Sequence, residues 1–145
     1  MTKEFVTLSA EETTIMGRRI GEVLPKGSVV CFFGDLATGK TTLIKGIVEG
    51  ATGLNEQVVT SPTFVYLNIY EGNTTVYHFD LYRFDDVDQF LSMGFDEYLS
   101  GDGICCVEWA ERIESVLPAS TLFVTMEHRG EGRRYVQLNG FDHYV

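Results

Sequence analysis

The sequence contains few cysteines, and those it has are not arranged as a disulfide or metal framework. Three of its 145 residues are cysteine, and Cys31, Cys105 and Cys106 all lie in apolar segments. Two adjacent cysteines in a strand point to opposite faces of the sheet. We interpret all three as small buried hydrophobic residues of a protein from a reducing compartment.

Long apolar runs are also missing. No stretch approaches the roughly 18 consecutive apolar residues of a membrane-spanning helix. The first five residues, Met-Thr-Lys-Glu-Phe, lack the charged and then apolar pattern of a secretion signal. We therefore predict a cytoplasmic protein with no membrane contact.

Basic residues are scarce relative to acidic ones. Eleven Lys and Arg against 21 Asp and Glu give a formal net charge of −10, and the acids are spread along the chain. Such a surface repels phosphate backbones, so we expect no tight nucleic-acid binding by this chain alone. The length and a hydrophobic content of 44% fit one globular domain, which we predict to span residues 1–145.

The most informative segment that is present is the octapeptide at residues 34–41, Gly-Asp-Leu-Ala-Thr-Gly-Lys-Thr. It matches the phosphate-binding loop (P-loop) G-x-x-x-x-G-K-[ST], in which backbone N–H groups and the lysine bind phosphates and the hydroxyl binds Mg²⁺. An apolar run at 29–33 predicts a buried strand before it, and residues 42–48 have the apolar spacing of a helix. We predict a nucleoside triphosphate site, with ATP as the default because the [NT]-K-x-D motif of guanine-specific proteins is absent.

Strand and helix patterns alternate along the rest of the chain. We predict strands at 4–8, 28–33, 64–70, 74–80, 104–108, 121–127 and 134–138, and helices at 9–24, from the loop to 49, 85–99 and 110–116. Ser9 and Glu12 have capping-box spacing, Gly50 is a plausible helix stop, and Gly94 interrupts a helix. The pattern indicates an α/β fold, a P-loop NTPase-like mixed β-sheet with helices on both faces, whose ligands bind at the carboxyl ends of strands.

Two acids at the ends of predicted strands are candidates for the metal and catalytic site. Glu108 ends an uninterrupted apolar run, and Asp80 ends an alternating one. Phosphoryl transfer needs an acidic oxygen ligand near Mg²⁺, so at least one of them is expected to act on the metal or on the attacking water. His78 alternates into the sheet, and we interpret it as a hydrogen-bonded core histidine.

Other polar or aromatic residues have two open interpretations. Thr60, Ser61 and Thr63 flank Pro62, either in a loop that closes over the γ-phosphate or in an ordinary turn. Trp109 either stacks on the nucleotide base or packs beside the strand end, and packing is favoured. Four arginines are candidate phosphate contacts, although solvated charge is the more ordinary expectation for the last three: Arg83, Arg129, Arg133 and Arg134.

Three further segments, taken with the loop, resemble one family. They are residues 60–64 (Thr-Ser-Pro-Thr-Phe), 78–83 (His-Phe-Asp-Leu-Tyr-Arg) and 108–111 (Glu-Trp-Ala-Glu). In order and approximate spacing they are similar to the bacterial TsaE family, the small ATPases of tRNA threonylcarbamoyladenosine biosynthesis. The resemblance covers nearly the whole chain.

The resemblance implies a Mg²⁺-dependent ATPase that joins the threonylcarbamoyl transferase subunits, of TsaD and TsaB type, and supports multiple turnover through ATP hydrolysis. These partners would hold the ANN-decoding tRNA, which the chain would contact only indirectly. By matching positions, Thr41, Asp80 and Glu108 would act on Mg²⁺, and Thr63, with both acids, would serve catalysis. The predicted nucleotide-binding residues are Gly34, Asp35, Leu36, Ala37, Thr38, Gly39, Lys40, Thr41, Thr42 and Trp109.

Two alternative functions share the phosphate-binding loop. A small-molecule or nucleoside kinase also needs an acceptor pocket and usually an arginine-bearing lid, for which the sequence offers no segment of useful length. A nucleotide-controlled binding switch would respond to a protein instead of an acceptor. We expect slow hydrolysis by the isolated chain, because no arginine is clearly fixed to stabilise the transition state before a partner docks.

Overall fold

The computed structural model describes residues 2–35, 38–54, 59, 62 and 65–144. Over these residues the strands are β1 Thr2–Thr7, β2 Val29–Phe33, β3 Leu67–Tyr70, β4 Val76–Asp80, β5 Ile104–Glu108, β6 Leu122–His128 and β7 Arg134–Asn139. The helices are α1 Ala10–Val23, α2 Lys40–Thr52 and α3 Val87–Ser92, with 3₁₀ helices at Phe95–Ser100 and Ala110–Val116. Gly94 separates α3 from the first 3₁₀ helix with a φ of 74°, as its sequence position predicts.

The strands form one sheet in the order β1-β7-β6-β2-β5-β4-β3. β2 runs parallel to β5 and β6, and β4 runs parallel to β5. β3 pairs antiparallel with β4, and β7 is antiparallel to β6 and β1. The carboxyl ends of β2, β4, β5 and β6 therefore lie along one edge of the sheet.

The two faces of the sheet bury different helices. Val30 and Phe32 of β2 lie in a core formed with α1 and α2. Val29 and Cys31 lie in a second core, formed with α3 and the two 3₁₀ helices. Because both faces are covered, β2 is apolar at every position. The predicted mixed sheet with helices on both faces is confirmed.

The cysteines belong to these cores. All three lie within the described residues, buried and free. Burial raises the pKa of the Cys31 and Cys105 thiols to about 12, and the Cys105 thiol donates a hydrogen bond to the carbonyl oxygen of Tyr98 at 3.1 Å. Their interpretation as small buried residues is confirmed. In the described part of the chain, no helix has both the length and the apolar character needed to cross a membrane.

Helix α1 begins where its capping pattern predicts. The Ser9 hydroxyl accepts a hydrogen bond from the Glu12 N–H at 3.1 Å, and the Glu12 carboxylate accepts one from the Leu8 N–H at 3.0 Å. The Ser9 hydroxyl thus binds a backbone donor that the first turn leaves without a helical partner, and Glu12 binds a donor just before the helix. This fixes the start of the helix that packs along α2.

Helices α1 and α2 pack through glycines at close range. A Cβ on Gly46 of α2 would lie 2.2 Å from the Thr14 carbonyl oxygen, and one on Gly50 would lie 2.1 Å from the Arg18 carbonyl oxygen. Gly50 therefore allows the two helices to pack closely. The prediction that Gly50 ends α2 is wrong, because the residue lies inside the helix. The helix ends at Thr52, and Gly53 follows with a φ of 75°.

Replacing Gly46 with alanine is expected to destabilise the protein by about 1 to 3 kcal/mol, because backbone atoms of α1 occupy the space the methyl group needs. Helix propensity alone would make the change stabilising by up to about 1 kcal/mol. The sign of the change in unfolding free energy therefore tells whether close packing or helix propensity dominates. Chemical denaturation measures the free energy of unfolding. Lys45→Ala, on the exposed side of α2, is the control and should leave that free energy nearly unchanged.

Candidate nucleotide site

The phosphate-binding loop connects β2 to α2 at the carboxyl edge of the sheet. Gly34 and Gly39 have φ values of 145° and 99°, which L-residues with side chains rarely adopt. A Cβ on Gly34 would also lie 2.6 Å from the Met126 carbonyl oxygen and 2.9 Å from Thr38 Oγ1. Glycine is therefore required at the start of the loop by conformation and by space. The predicted binding residues Leu36 and Ala37 lie outside the described residues.

Lys40, the first residue of α2, lies at the centre of the site. Its side chain is 9% exposed, and Nζ donates a hydrogen bond to the Gly34 carbonyl oxygen at 2.6 Å. Nζ also lies 4.0 Å from Glu108 Oε1 and 5.8 Å from the centre of the Trp109 ring. The ammonium group is thus held between the loop and the end of β5, where its charge can act on an anion.

The two candidate acids are brought together. Asp80 ends β4 and Glu108 ends β5, and the two residues are paired in the register of these parallel strands. Both are buried, and Asp80 Oδ1 accepts a hydrogen bond from the Tyr82 N–H at 3.0 Å. Adjacent strands are about 4.8 Å apart, so the two carboxylates lie close enough to act on one site.

His78 contacts one of these acids. Its Nε2 lies 2.8 Å from Glu108 Oε2, and the ring is fully buried. Within the described part of the chain, Nδ1 has no hydrogen-bond partner. The predicted core histidine is confirmed as hydrogen-bonded, and the structure adds what the sequence did not show. His78 holds Oε2 of Glu108, while Oε1 of Glu108 lies on the side of Lys40.

Trp109 turns the chain directly after Glu108. Its φ of 60° and ψ of 42° are left-handed, an uncommon conformation for a bulky residue. The ring lies 4.9 Å from the Tyr82 ring and 5.9 Å from the Arg112 guanidinium. The predicted packing at the strand end is confirmed, and a contact with nucleotide stays a prediction.

A cleft opens between the loop and Trp109. Its volume is about 200 Å³, and its walls combine aromatic rings with Lys40 and the acids Asp35 and Glu111. The lining residues are Phe32, Phe33, Gly34, Asp35, Lys40, Trp109 and Glu111. Glu111 was not among the predicted site residues. Glu111 is the last residue of the Glu-Trp-Ala-Glu segment at 108–111, and its place in that segment could have indicated that it lies at the site.

Three threonines continue the loop. Thr38 Oγ1 is buried and has no hydrogen-bond partner among the described residues, while Thr41 and Thr42 are half-buried in the first turn of α2. Thr60, Ser61 and the predicted catalytic residue Thr63 lie outside the described residues.

The groups at this edge of the sheet fit a nucleotide with Mg²⁺. A helix N-terminus after a glycine-containing loop binds phosphate through backbone N–H groups, and Lys40 adds a positive charge. Thr41, Asp80 and Glu108 would supply oxygen donors of the kind that Mg²⁺ takes together with phosphate oxygens.

The comparisons with known proteins agree on one family. Residues 7–136 match the family model described as threonylcarbamoyl adenosine biosynthesis protein TsaE. A relative from Treponema pallidum, named tRNA threonylcarbamoyladenosine biosynthesis protein TsaE, is 40% identical over 133 residues, which cover 92% of this chain and 97% of that protein. A Bacillus subtilis relative with the same name is 37% identical over 131 residues, covering 90% of this chain and 80% of the relative.

A solved structure resembles the whole fold. The crystal structure of YdiB from Bacillus subtilis superimposes with a TM-score of 0.80 and 32% sequence identity, covering 95% of this chain and 84% of the other. Family model, relatives and fold agree over most of the chain, so this protein belongs to the TsaE family, the family of tRNA threonylcarbamoyladenosine biosynthesis.

Proposed function

We propose that residues 1–145 form a single P-loop ATPase domain that hydrolyses ATP in the presence of Mg²⁺ and supports tRNA threonylcarbamoyladenosine formation. The observation that carries the proposal is the placement of Lys40 Nζ, 2.6 Å from the Gly34 carbonyl oxygen and 4.0 Å from Glu108 Oε1. A cation at a helix N-terminus, beside acids that end adjacent strands, is the arrangement phosphoryl transfer requires.

Each residue has a chemical task in this proposal. The N–H groups at the start of α2 and the Lys40 ammonium bind the β- and γ-phosphates and stabilise the negative charge there. Thr41, Asp80 and Glu108 would hold Mg²⁺, which when bound neutralises phosphate charge. Glu108 accepts a hydrogen bond from the attacking water, and His78 keeps that carboxylate in one orientation.

The partners we propose are the threonylcarbamoyl transferase subunits, of TsaD and TsaB type. Support comes from the family and from the names of the relatives, which state a role in tRNA threonylcarbamoyladenosine biosynthesis. The net charge of −10 favours a protein that reaches tRNA through these partners. Buried free cysteines agree with action in the reducing cytoplasm.

ATP turnover by the isolated chain is expected to be slow and to rise when both transferase subunits are added, because partner docking completes sites of this type. Phosphate release at saturating ATP and Mg²⁺, with and without the subunits, measures this. The subunits alone are the control. Fast turnover by the isolated chain that the subunits leave unchanged would contradict the proposal, and phosphate transfer to a small-molecule acceptor would favour the kinase alternative.

A further inference from the structure

One face of the sheet is covered over only part of its width. The second core, formed with α3 and the two 3₁₀ helices, contains buried residues of β2, β4 and β5. Among the described residues it contains none from β6, β7 or β1. On β6, Val124 lies in the first core, whereas its neighbour Phe123 points to the opposite face and is 37% exposed. The second core therefore ends at β2, and Phe123 lies beyond its edge.

An apolar groove lies at this edge, between β6 and the 3₁₀ helix Ala110–Val116. Its volume is about 360 Å³, larger than the nucleotide cleft. The rings of Phe33 and Phe123 stack in it with their centres 6.1 Å apart. Leu117 and Pro118 complete its apolar surface. Apolar surface that is open to solvent and rimmed by polar residues is typical of interaction sites.

The charged side chains that line the groove are both acidic. Glu111 and Glu114 are exposed, and neither forms an ion pair within the described part of the chain. Residues three apart in a 3₁₀ helix lie on the same side of it, so the two carboxylates repel each other. The lining residues include no lysine or arginine. A partner that brings a positive charge to this rim would relieve the repulsion.

This arrangement favours a protein segment over a small molecule or a nucleic acid. Sites for small molecules place polar groups inside the pocket to orient the ligand, whereas both carboxylates here are exposed. The same carboxylates would repel a phosphate backbone. An apolar centre surrounded by a charged rim is the usual composition of a protein interface, in which large apolar side chains supply most of the affinity.

The groove adjoins the nucleotide cleft. Phe33 and Glu111 line both of them. Phe33 is also the last residue of β2 and directly precedes Gly34 of the phosphate-binding loop. A side chain bound in the groove would therefore contact two residues of the cleft, which gives a bound partner a direct way to act on the nucleotide site.

We propose that this groove binds a segment of a transferase subunit that presents a large apolar side chain flanked by lysine or arginine. The apolar side chain packs on Phe33, Phe123 and Leu117, and the cation pairs with Glu111 and Glu114. The inference rests on the partners proposed above, and it adds the surface and the chemistry through which they bind.

Phe123→Ser tests the apolar contact. Calorimetric titration of the TsaD- and TsaB-type subunits, with ATP and Mg²⁺ present, measures the affinity. The dissociation constant is expected to rise at least tenfold, because a central apolar contact is lost. Ile69→Ser removes another exposed apolar side chain, from β3 at the other side of the sheet, and should bind within about twofold of wild type.

Glu114→Lys tests the charge of the rim. It is expected to weaken subunit binding about tenfold at low salt and less at high salt, because exposed charges are screened. Glu22→Lys makes the same change in net charge at an exposed position of α1 and should leave the affinity within about twofold. Glu114→Gln reverses no charge, so it too should stay within about twofold.

The isolated variants should be folded by thermal unfolding and bind ATP within about twofold of wild type. If Phe123→Ser does not fold, Glu114→Lys decides. Wild-type affinity for the subunits in either folded variant would overturn the inference, as would tighter binding by Glu114→Lys or an equal loss of ATP affinity in Phe123→Ser. A wild-type chain that binds neither subunit would contradict the partners named in the proposed function.

Discussion

Replacing Lys40 with alanine is expected to abolish ATP hydrolysis and to weaken ATP binding by about a hundredfold. In the proposed site, the ammonium at the start of α2 meets the phosphates, which carry most of the charge of ATP. Loss of an electrostatic contact of this kind costs on the order of 3 kcal/mol. Titration calorimetry and phosphate release measure the two effects separately.

The fold should survive this change. The hydrogen bond from Lys40 to the Gly34 carbonyl oxygen contributes only about 1 kcal/mol net, and removing the lysine also removes a desolvated charge. Lys45→Ala removes the same charge from the exposed side of the same helix and should leave binding and turnover unchanged. ATP turnover by Lys40→Ala at the wild-type rate would contradict the proposed nucleotide site.

Glu108→Gln and Asp80→Asn are expected to retain ATP binding while hydrolysis falls by about a hundredfold or more. Each amide nearly preserves the volume of the acid but removes the negative charge that, in the proposed site, acts on metal and water. The decrease should appear in the rate constant at saturating ATP, with or without the partner subunits.

Glu114→Gln is a suitable control, because it removes one exposed acid from the 3₁₀ helix Ala110–Val116. It should hydrolyse ATP like wild type. If both Glu108→Gln and Asp80→Asn also hydrolysed ATP normally with partners present, the acids at these strand ends would have no role in the chemistry.

Features that depend on neighbouring residues in the chain were predictable. The Ser9 cap is set by groups three residues apart, and its hydrogen bonds form as expected. Gly94 likewise breaks a helix through its own backbone conformation. The loop and the ends of β4 and β5 follow from local apolar runs, which is why the positions of Lys40 and both acids at this edge of the sheet were predictable.

Features that depend on distant packing were not predictable. Helix α2 was predicted to stop at Gly50, but it continues to Thr52 and is followed by Gly53. Gly50 is a glycine because α1 packs closely against it, which the local sequence does not reveal. The β3 strand begins at Leu67, later than predicted, since Tyr66 has a φ of 67°. Phe64, the predicted start, lies outside the described residues.

The site shows the same division. His78 and Glu108 are 30 residues apart and meet only through the register of β4 and β5. Arg134 shares its local sequence with the exposed Arg129 and Arg133, and only the folding of the β6–β7 hairpin against the loop, which brings its Nε close to Gly39, distinguishes it. The sequence shows which side chains carry charge or can form hydrogen bonds. Which of them meet can be known only from the order and register of the strands.

The most direct test of the central claim is modification of an ANN-decoding tRNA in excess over the TsaD- and TsaB-type subunits, followed together with phosphate release. With this chain and ATP present, modified tRNA is expected to accumulate beyond one equivalent of the subunits while ATP is consumed. Without the chain, or with Lys40→Ala in its place, it should stop near one equivalent. Equal multiple turnover in the absence of the chain would contradict the account.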